Sequence, residues 1–241
     1  MCGRYVNPFL PQDLADLLNL PDDTRGEVRP DYNVAPTATV PAVVVRHGER
    51  ALVGLRWGLV PSWAKDLRIG ARLINARVET LAEKPAFRAA FERRRCLLPA
   101  GGYYEWAAPA APGAPKQPYY LRPTDGPLLM MAGLYEFWRD AEGRFWRTST
   151  VITTAAPDRL GRVHERTPMT VDRDSWSIWL DPEVGPEQLD VRGLLRPMLD
   201  GALEAVPVSI RVNDVRNNGS ELVDPVAEVA EVGEAAKFPS L

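Results

Sequence analysis

The chain has 241 residues and a formal net charge of −3, with 45% hydrophobic and 25% charged residues, which is the profile of an ordinary globular domain and not of a disordered or fibrous chain. No apolar run approaches the roughly 18 residues a membrane helix needs, and the first residues lack the basic and apolar regions of a secretion signal, so a cytoplasmic protein with no membrane attachment is expected. Cys2 and Cys96 give no disulfide framework, and with His47 and His164 they lack metal-ligand spacing, so neither a metal nor another cofactor is expected.

In chain order, Gln12–Leu18 reads as a helix behind Pro11, and Val40–Arg46 and Ala51–Trp57 read as strands joined by the turn His47–Gly48–Glu49. Pro85–Arg94 is a second helix with Pro in its first turn. Strands follow at Cys96–Pro99, Tyr103–Trp106, Tyr119–Arg122, Leu128–Phe137 and Thr148–Thr154, with the Ala- and Pro-rich stretch Ala107–Pro118 as a loop. Asp172 is placed to cap a helix over Arg173–Leu180, and Pro186–Leu195 is a further helix. From Glu221 onward five acids face one Lys, which predicts a loosely held tail. The pattern is α+β and mostly β: a bent or barrel-like antiparallel sheet with a few flanking helices in a single domain over residues 1–225, then an acidic tail over 226–241.

The charge is unevenly spread. Residues 1–100 carry 15 Lys and Arg against 11 Asp and Glu, and residues 101–241 carry 14 against 21. The basic part adjoins Cys2, as a phosphate-binding face would. Loss of Met1 would leave an amine and a thiol on one residue. The α-amine has a reference pKa of about 7.7–8.0, so a useful fraction is neutral near pH 7, whereas a lysine is almost wholly protonated. The neutral amine can attack an aldehyde to give a Schiff base, and the thiol of the same residue can close on the imine carbon to give a five-membered thiazolidine. Gly3 would allow close backbone approach, and Arg4 offers a fork for phosphate.

Four further segments are too particular for surface filler: Asn33–Pro36, which reads as a turn; Arg56–Trp63, with two Trp and an Arg suited to stacking on unpaired bases; Ile74–Thr80; and Gly101–Trp106. In the last, Glu105 stands between aromatic residues, a setting that would raise its pKa and suit it to acid–base work. His164 has the pKa range for proton transfer at neutral pH, and His47 sits in an evident turn.

Together with Cys2–Tyr5, Arg95–Trp106, His164–Arg166 and a late stretch from Val206 to Asn213, these segments make the chain resemble the SOS response-associated peptidase family, abasic-site-processing proteins that crosslink to DNA. The resemblance spans about residues 1–225. It implies that Cys2 forms a thiazolidine with the opened sugar of an abasic site and that Asn75 positions the cysteine and the sugar. It further implies that Glu105 shuttles protons and that His164 helps open the sugar. Arg4, Arg77, Lys84 and Thr154 match positions that hold DNA phosphates, while Trp63, Asn33 and Pro36 match positions that line the DNA path. The implied partner is single-stranded DNA containing abasic sites, or single/double-strand junctions at the nucleoid. The protein would act as a monomer that removes its own Met1. Thr167, Ala38 and Ala64 depart from residues common in the family at these places. Two other readings of the residues stay open: a non-covalent single-strand DNA-binding protein, and an N-terminal-Cys amidotransferase, which also begins Met-Cys-Gly.

Overall fold

An almost unbroken apolar run over residues 40–45 and a second over 51–57 make the longest legible hairpin, β4 (Thr39–Arg46) and β5 (Glu49–Trp57), preceded in the chain by β1 (Tyr5–Asn7), β2 (Asp22–Asp23) and β3 (Asp31–Val34). The two-residue turn between β4 and β5 needs positive φ at both positions; His47 sits at 52° and Gly48 at 84°. The computed structural model describes residues 2–23, 27–109, 115–156, 163–189, 191–194, 196–197 and 201–227.

Nine more strands follow. They are β6 (Asn75–Arg77), β7 (Arg95–Ala100), β8 (Gly102–Ala107), β9 (Gln117–Pro123), β10 (Leu129–Arg139), β11 (Phe145–Ala155), β12 (Arg166–Thr170), β13 (Arg196–Pro197) and β14 (Leu203–Pro207). Five of the strands form one sheet in the order β14-β9-β8-β1-β3. The others form a second sheet that closes on itself. Around the ring β10 pairs with β7, β7 with β4, β4 with β5, β5 with β11 and β11 again with β10. The expected barrel-like, mostly β fold is therefore present. Most pairings are antiparallel, but β11 runs parallel to both β5 and β6. The barrel interior and the facing side of the smaller sheet share one core that includes Cys2, Tyr5, Trp57, Cys96 and Tyr103, each no more than 1% exposed.

The helices α1 (Pro11–Leu18), α2 (Pro85–Arg93), α3 (Trp176–Leu180) and α4 (Val191–Leu194) lie outside the barrel, and none of the described helices is long and apolar enough to cross a membrane. Three expectations need correction. The Asp172 carboxylate makes no capping bond; its carbonyl accepts the Ser175 N–H at 2.9 Å, so the segment begins as a 3-10 turn before α3. The helix over Pro186–Leu195 divides into a 3-10 turn at Pro186–Gln188 and α4, with residues 190 and 195 outside the described set. The stretch from Glu221 is not loose throughout. Leu222 is fully buried and Pro225 bridges to Val208, so apolar burial holds the chain to that point; residues 228–241 lie outside the described set.

Arg95, at the start of β7, joins the outer helices to the barrel. It is 2% exposed and, among the described residues, faces no carboxylate at hydrogen-bond distance. Its guanidinium instead donates to the carbonyls of Phe91 (2.6 Å), Glu92 (2.8 Å), Trp179 (2.6 Å), Val184 (2.8 Å) and Asp181. One buried cation thus satisfies the last turn of α2 and the end of α3, where unpaired carbonyls would otherwise remain. Arg95→Leu should lower stability by about 3–5 kcal/mol, since it strands these acceptors, and urea unfolding measures the loss.

Candidate active site

Cys2 is fully buried just ahead of β1, a central strand with β8 on one edge and β3 on the other. Tyr5 pairs with Tyr103 and Val6 with Gly102, and the Tyr104 N–H donates to the Arg4 carbonyl at 2.9 Å. Continuing that register sets Gly3 opposite Glu105, with Cys2 one step beyond. Gly102 has to be glycine, because a Cβ there would run into the Leu121 carbonyl oxygen and the Tyr120 ring. On the barrel side the Tyr5 ring meets Trp57 edge-on at 5.2 Å, and the Trp57 indole N–H donates to the Ile74 carbonyl at 2.9 Å.

That last bond, with the parallel pairing of Asn75 to Val151, fixes the backbone of β6. The Asn75 amide then donates from Nδ2 to the Cys2 carbonyl at 2.7 Å. Asn75 Oδ1 is buried and has no hydrogen-bond partner among the described residues. His164 arrives from the connection between β11 and β12, whose inner end is closed by the Ala156 N–H to Glu165 carbonyl bond at 2.9 Å. His164 Nδ1 lies 3.8 Å from Glu105 Oε1, 3.0 Å from the Arg166 N–H, which donates to it, and 3.3 Å from the Arg166 carbonyl.

Burial pushes all three titrating groups toward neutrality. The Cys2 thiol is raised well above its ordinary value by burial, then by the charge of Glu105, with the positive amino terminus and the Arg4 backbone opposing. Glu105, 3% exposed, is pushed up from 4.5 to about 7, mainly by burial, against the pull of the chain's amino terminus and Lys116. His164 is lowered, by burial first and then by the amino-terminal charge. Near pH 7 the site therefore holds a neutral thiol, a carboxyl at its midpoint and a neutral imidazole.

Sequence reasoning assigned no role to four residues that lock this arrangement. The Tyr103 hydroxyl lies 3.0 Å from Thr167 Oγ1, tying the strand of Glu105 to the strand that follows His164. Arg166 grips Glu79 through two bonds of 2.8 and 3.0 Å and donates to the Thr153 carbonyl at 2.6 Å. Glu79 comes four residues after Asn75, and Arg166 two after His164. An acid and a base inside the two motifs were the available signal.

The structure thus brings Cys2, Asn75, Glu105 and His164 together. Asn75 and Arg77 share a face of β6 by strand alternation, with Ala76 buried on the other. Arg77 is exposed and pairs with Thr153, beside half-buried Thr154; Lys84, at the start of α2, is exposed too. Trp63 is 60% exposed, and Pro36 lies half-buried in the turn after β3. Arg4 and Asn33 are bonded to each other, Nη1 to Oδ1 at 2.6 Å. The Asn33 amide also donates to the carbonyls of Val212, Asp214 and Asn217, and Arg4 Nη1 to that of Val212 at 2.8 Å. Asn33 itself is 2% exposed and belongs to β3, so the expected turn begins only after Val34. Among the described residues no three His, Cys, Asp or Glu side chains are grouped to hold a metal ion.

The sequence model of the family described as SOS response associated peptidase (SRAP) matches residues 1–215. The chain is 38% identical to the abasic site processing protein YoaM of Bacillus subtilis, over 93% of this chain and 98% of that one. It is 29% identical to the abasic site processing protein YedK of Escherichia coli, over 94% and 100%. A crystal structure of a protein from Bacteroides thetaiotaomicron superposes with a TM-score of 0.81 at 24% identity, covering 94% of this chain and all of the other, which matches the fold.

The Glu105 shift has a sign that stability measurements can read. Between about 4.5 and about 7 the folded chain binds more protons at this group than the unfolded chain, so raising the pH through that window destabilises the fold. The full effect is about 3 kcal/mol. Glu105→Gln should therefore gain on the parent in urea midpoint as the pH rises from 4.5 to 8; parallel pH curves for the two proteins would refute a raised Glu105 pKa.

Proposed function

The chain belongs to the SOS response associated peptidase family, and on that premise we propose that it processes abasic sites in DNA by forming a covalent thiazolidine between Cys2 and the opened sugar. The observation that carries this reading is the gathering around Cys2 of a carboxyl titrating near 7, an imidazole of lowered pKa 3.8 Å from that carboxyl, and an amide that holds the Cys2 carbonyl and has an open acceptor. Met1 must first be hydrolysed away: water adds across the Met1–Cys2 peptide, releasing methionine and freeing the Cys2 amine. The same site carries out this step.

The buried thiol sets the order of attack. It is not a thiolate at neutral pH, so the amine reacts first. His164 transfers the proton that opens the sugar to its aldehyde. The amine adds to the carbonyl carbon, Glu105 supplies the proton that lets the hydroxyl leave as water, and an imine remains. The thiol sulfur then bonds to the imine carbon while Glu105 takes the S–H proton and the ring nitrogen gains one. The balance is one aldehyde and one aminothiol in, one thiazolidine and one water out. Asn75 holds the Cys2 carbonyl through Nδ2 and offers Oδ1 to the reacting amine or sugar hydroxyl.

Arg77, Lys84 and Thr154 hold phosphates of a single strand or a single/double-strand junction, and Trp63 with Pro36 stacks on or wedges the bases; the exposure of Trp63, Arg77 and Lys84 supports this. Arg4 and Asn33, bonded to one another, complete the edge of that path.

Incubation with an abasic oligonucleotide should give a shifted band on a denaturing gel. The band should vanish for Cys2→Ala and for a protein that retains a residue before Cys2; a band that survives either change refutes the proposal. Glu105→Gln should slow crosslinking about 100-fold or more. Asn75→Ala, which removes one hydrogen bond worth about 1 kcal/mol, should slow it roughly fivefold in single-turnover assays.

A further inference from the structure

The barrel is split on one side. β5 and β11 pair only at Arg56–Thr148 and Trp57–Ser149. Toward the start of β5 its edge takes β2 instead, Asp22 against Leu52 and Asp23 against Val53, while β11 stays with β10 as far as Arg139–Phe145. The gap is a cavity of 750 Å³, lined by none of Cys2, Asn75, Glu105 or His164. That volume falls inside the roughly 300–1,000 Å³ of small-molecule sites.

Its lining is chemically selective. Four arginines, Arg46, Arg56, Arg144 and Arg147, face one acid, Glu27, in a chain whose net charge is −3. Glu27 lies across Gly54, where a Cβ would come within 2.9 Å of its carboxylate, and pairs with Arg147 at 3.0 Å. Arg46 pairs with Asp23 just outside. No acid pairs with Arg56 or Arg144 among the described residues, and Arg56 Nη1 is buried without a hydrogen-bond partner. The aromatic side is equally marked. Phe137 and Phe145 stack 5.4 Å apart with 25° between their planes, yet remain 41% and 55% exposed. Arg144 lies 5.2 Å over the Trp146 ring.

Unpaired guanidiniums suit a phosphate, and exposed aromatic faces flanked by a cation suit a base. We propose that this split in the barrel is a second site that binds a nucleoside phosphate, as a free nucleotide or as one unit of a single DNA strand. The site is independent of the crosslinking chemistry, since its ligand needs no aldehyde.

Isothermal calorimetry on the full chain tests it with 2′-deoxyadenosine 5′-monophosphate, with deoxyadenosine, and with an undamaged ten-nucleotide single strand. Arg144→Gln and Phe145→Ala alter exposed side chains and leave the fold intact. If the source is a free nucleotide, the monophosphate binds at least tenfold more tightly than the nucleoside, and each variant loses at least fivefold. If the source is a strand, the monophosphate gives no heat and both variants bind the oligonucleotide at least fivefold more weakly. Unchanged affinity for both probes in both variants overturns the proposal. None of these probes can crosslink, so the result stands whatever Cys2 does.

Discussion

The antiparallel register of β1 on β8 is the constraint from which the site follows. Pairing Tyr5 with Tyr103 sends the first residues along β8 until Gly3 stands opposite Glu105. The pairing also makes the terminal strand an interior one, flanked by β3 on its other side. Residues near a chain end normally keep their polar groups in water; here Cys2 is buried and Gly3 and Arg4 are half-buried, so their backbone groups call for specific partners. Asn75 answers the Cys2 carbonyl, and the Tyr104 N–H answers that of Arg4. The Arg4–Asn33 pair binds the strand edge to carbonyls of the segment after β14.

Burial then acts as the common electrostatic cause. It raises Cys2 and Glu105 and lowers His164, so the three groups meet at neutral pH with little net charge among them. A carboxyl raised to about 7 can both give and take a proton near neutral pH, which suits acid–base work there. Arg77, on the Asn75 face of β6, and Lys84 stay exposed. Arg166, half-buried, is held by Glu79. Exposed cationic charge is thereby kept apart from the buried groups around Cys2.

Much of this was legible in the sequence, and the limits have physical causes. β4 and β5 announce themselves through continuous apolar residues and a turn that demands positive φ. β1 and β6, three residues each, are too short for any period to show, and β6 exists because it lies beside β11 some 75 residues away. Glu105 was readable because aromatic neighbours signal a desolvated carboxyl. Asn33 illustrates the opposite case. Its side chain bonds to carbonyls 179 to 184 positions distant, and nothing in Asn33–Pro36 discloses such partners. The division of the helix expected over Pro186–Leu195 is another long-range matter, because a four-residue turn forms only where tertiary packing supports it.

The central position of β1 has a consequence for the order of events during synthesis. The first residues leave the ribosome early, yet β8 is about 100 residues downstream and His164 about 160. At typical elongation rates Cys2 waits on the order of ten seconds before the surfaces that bury it exist. Throughout that interval Cys2 is part of an ordinary unfolded segment, reachable by any enzyme that acts on nascent chains, whereas in the folded protein it is buried.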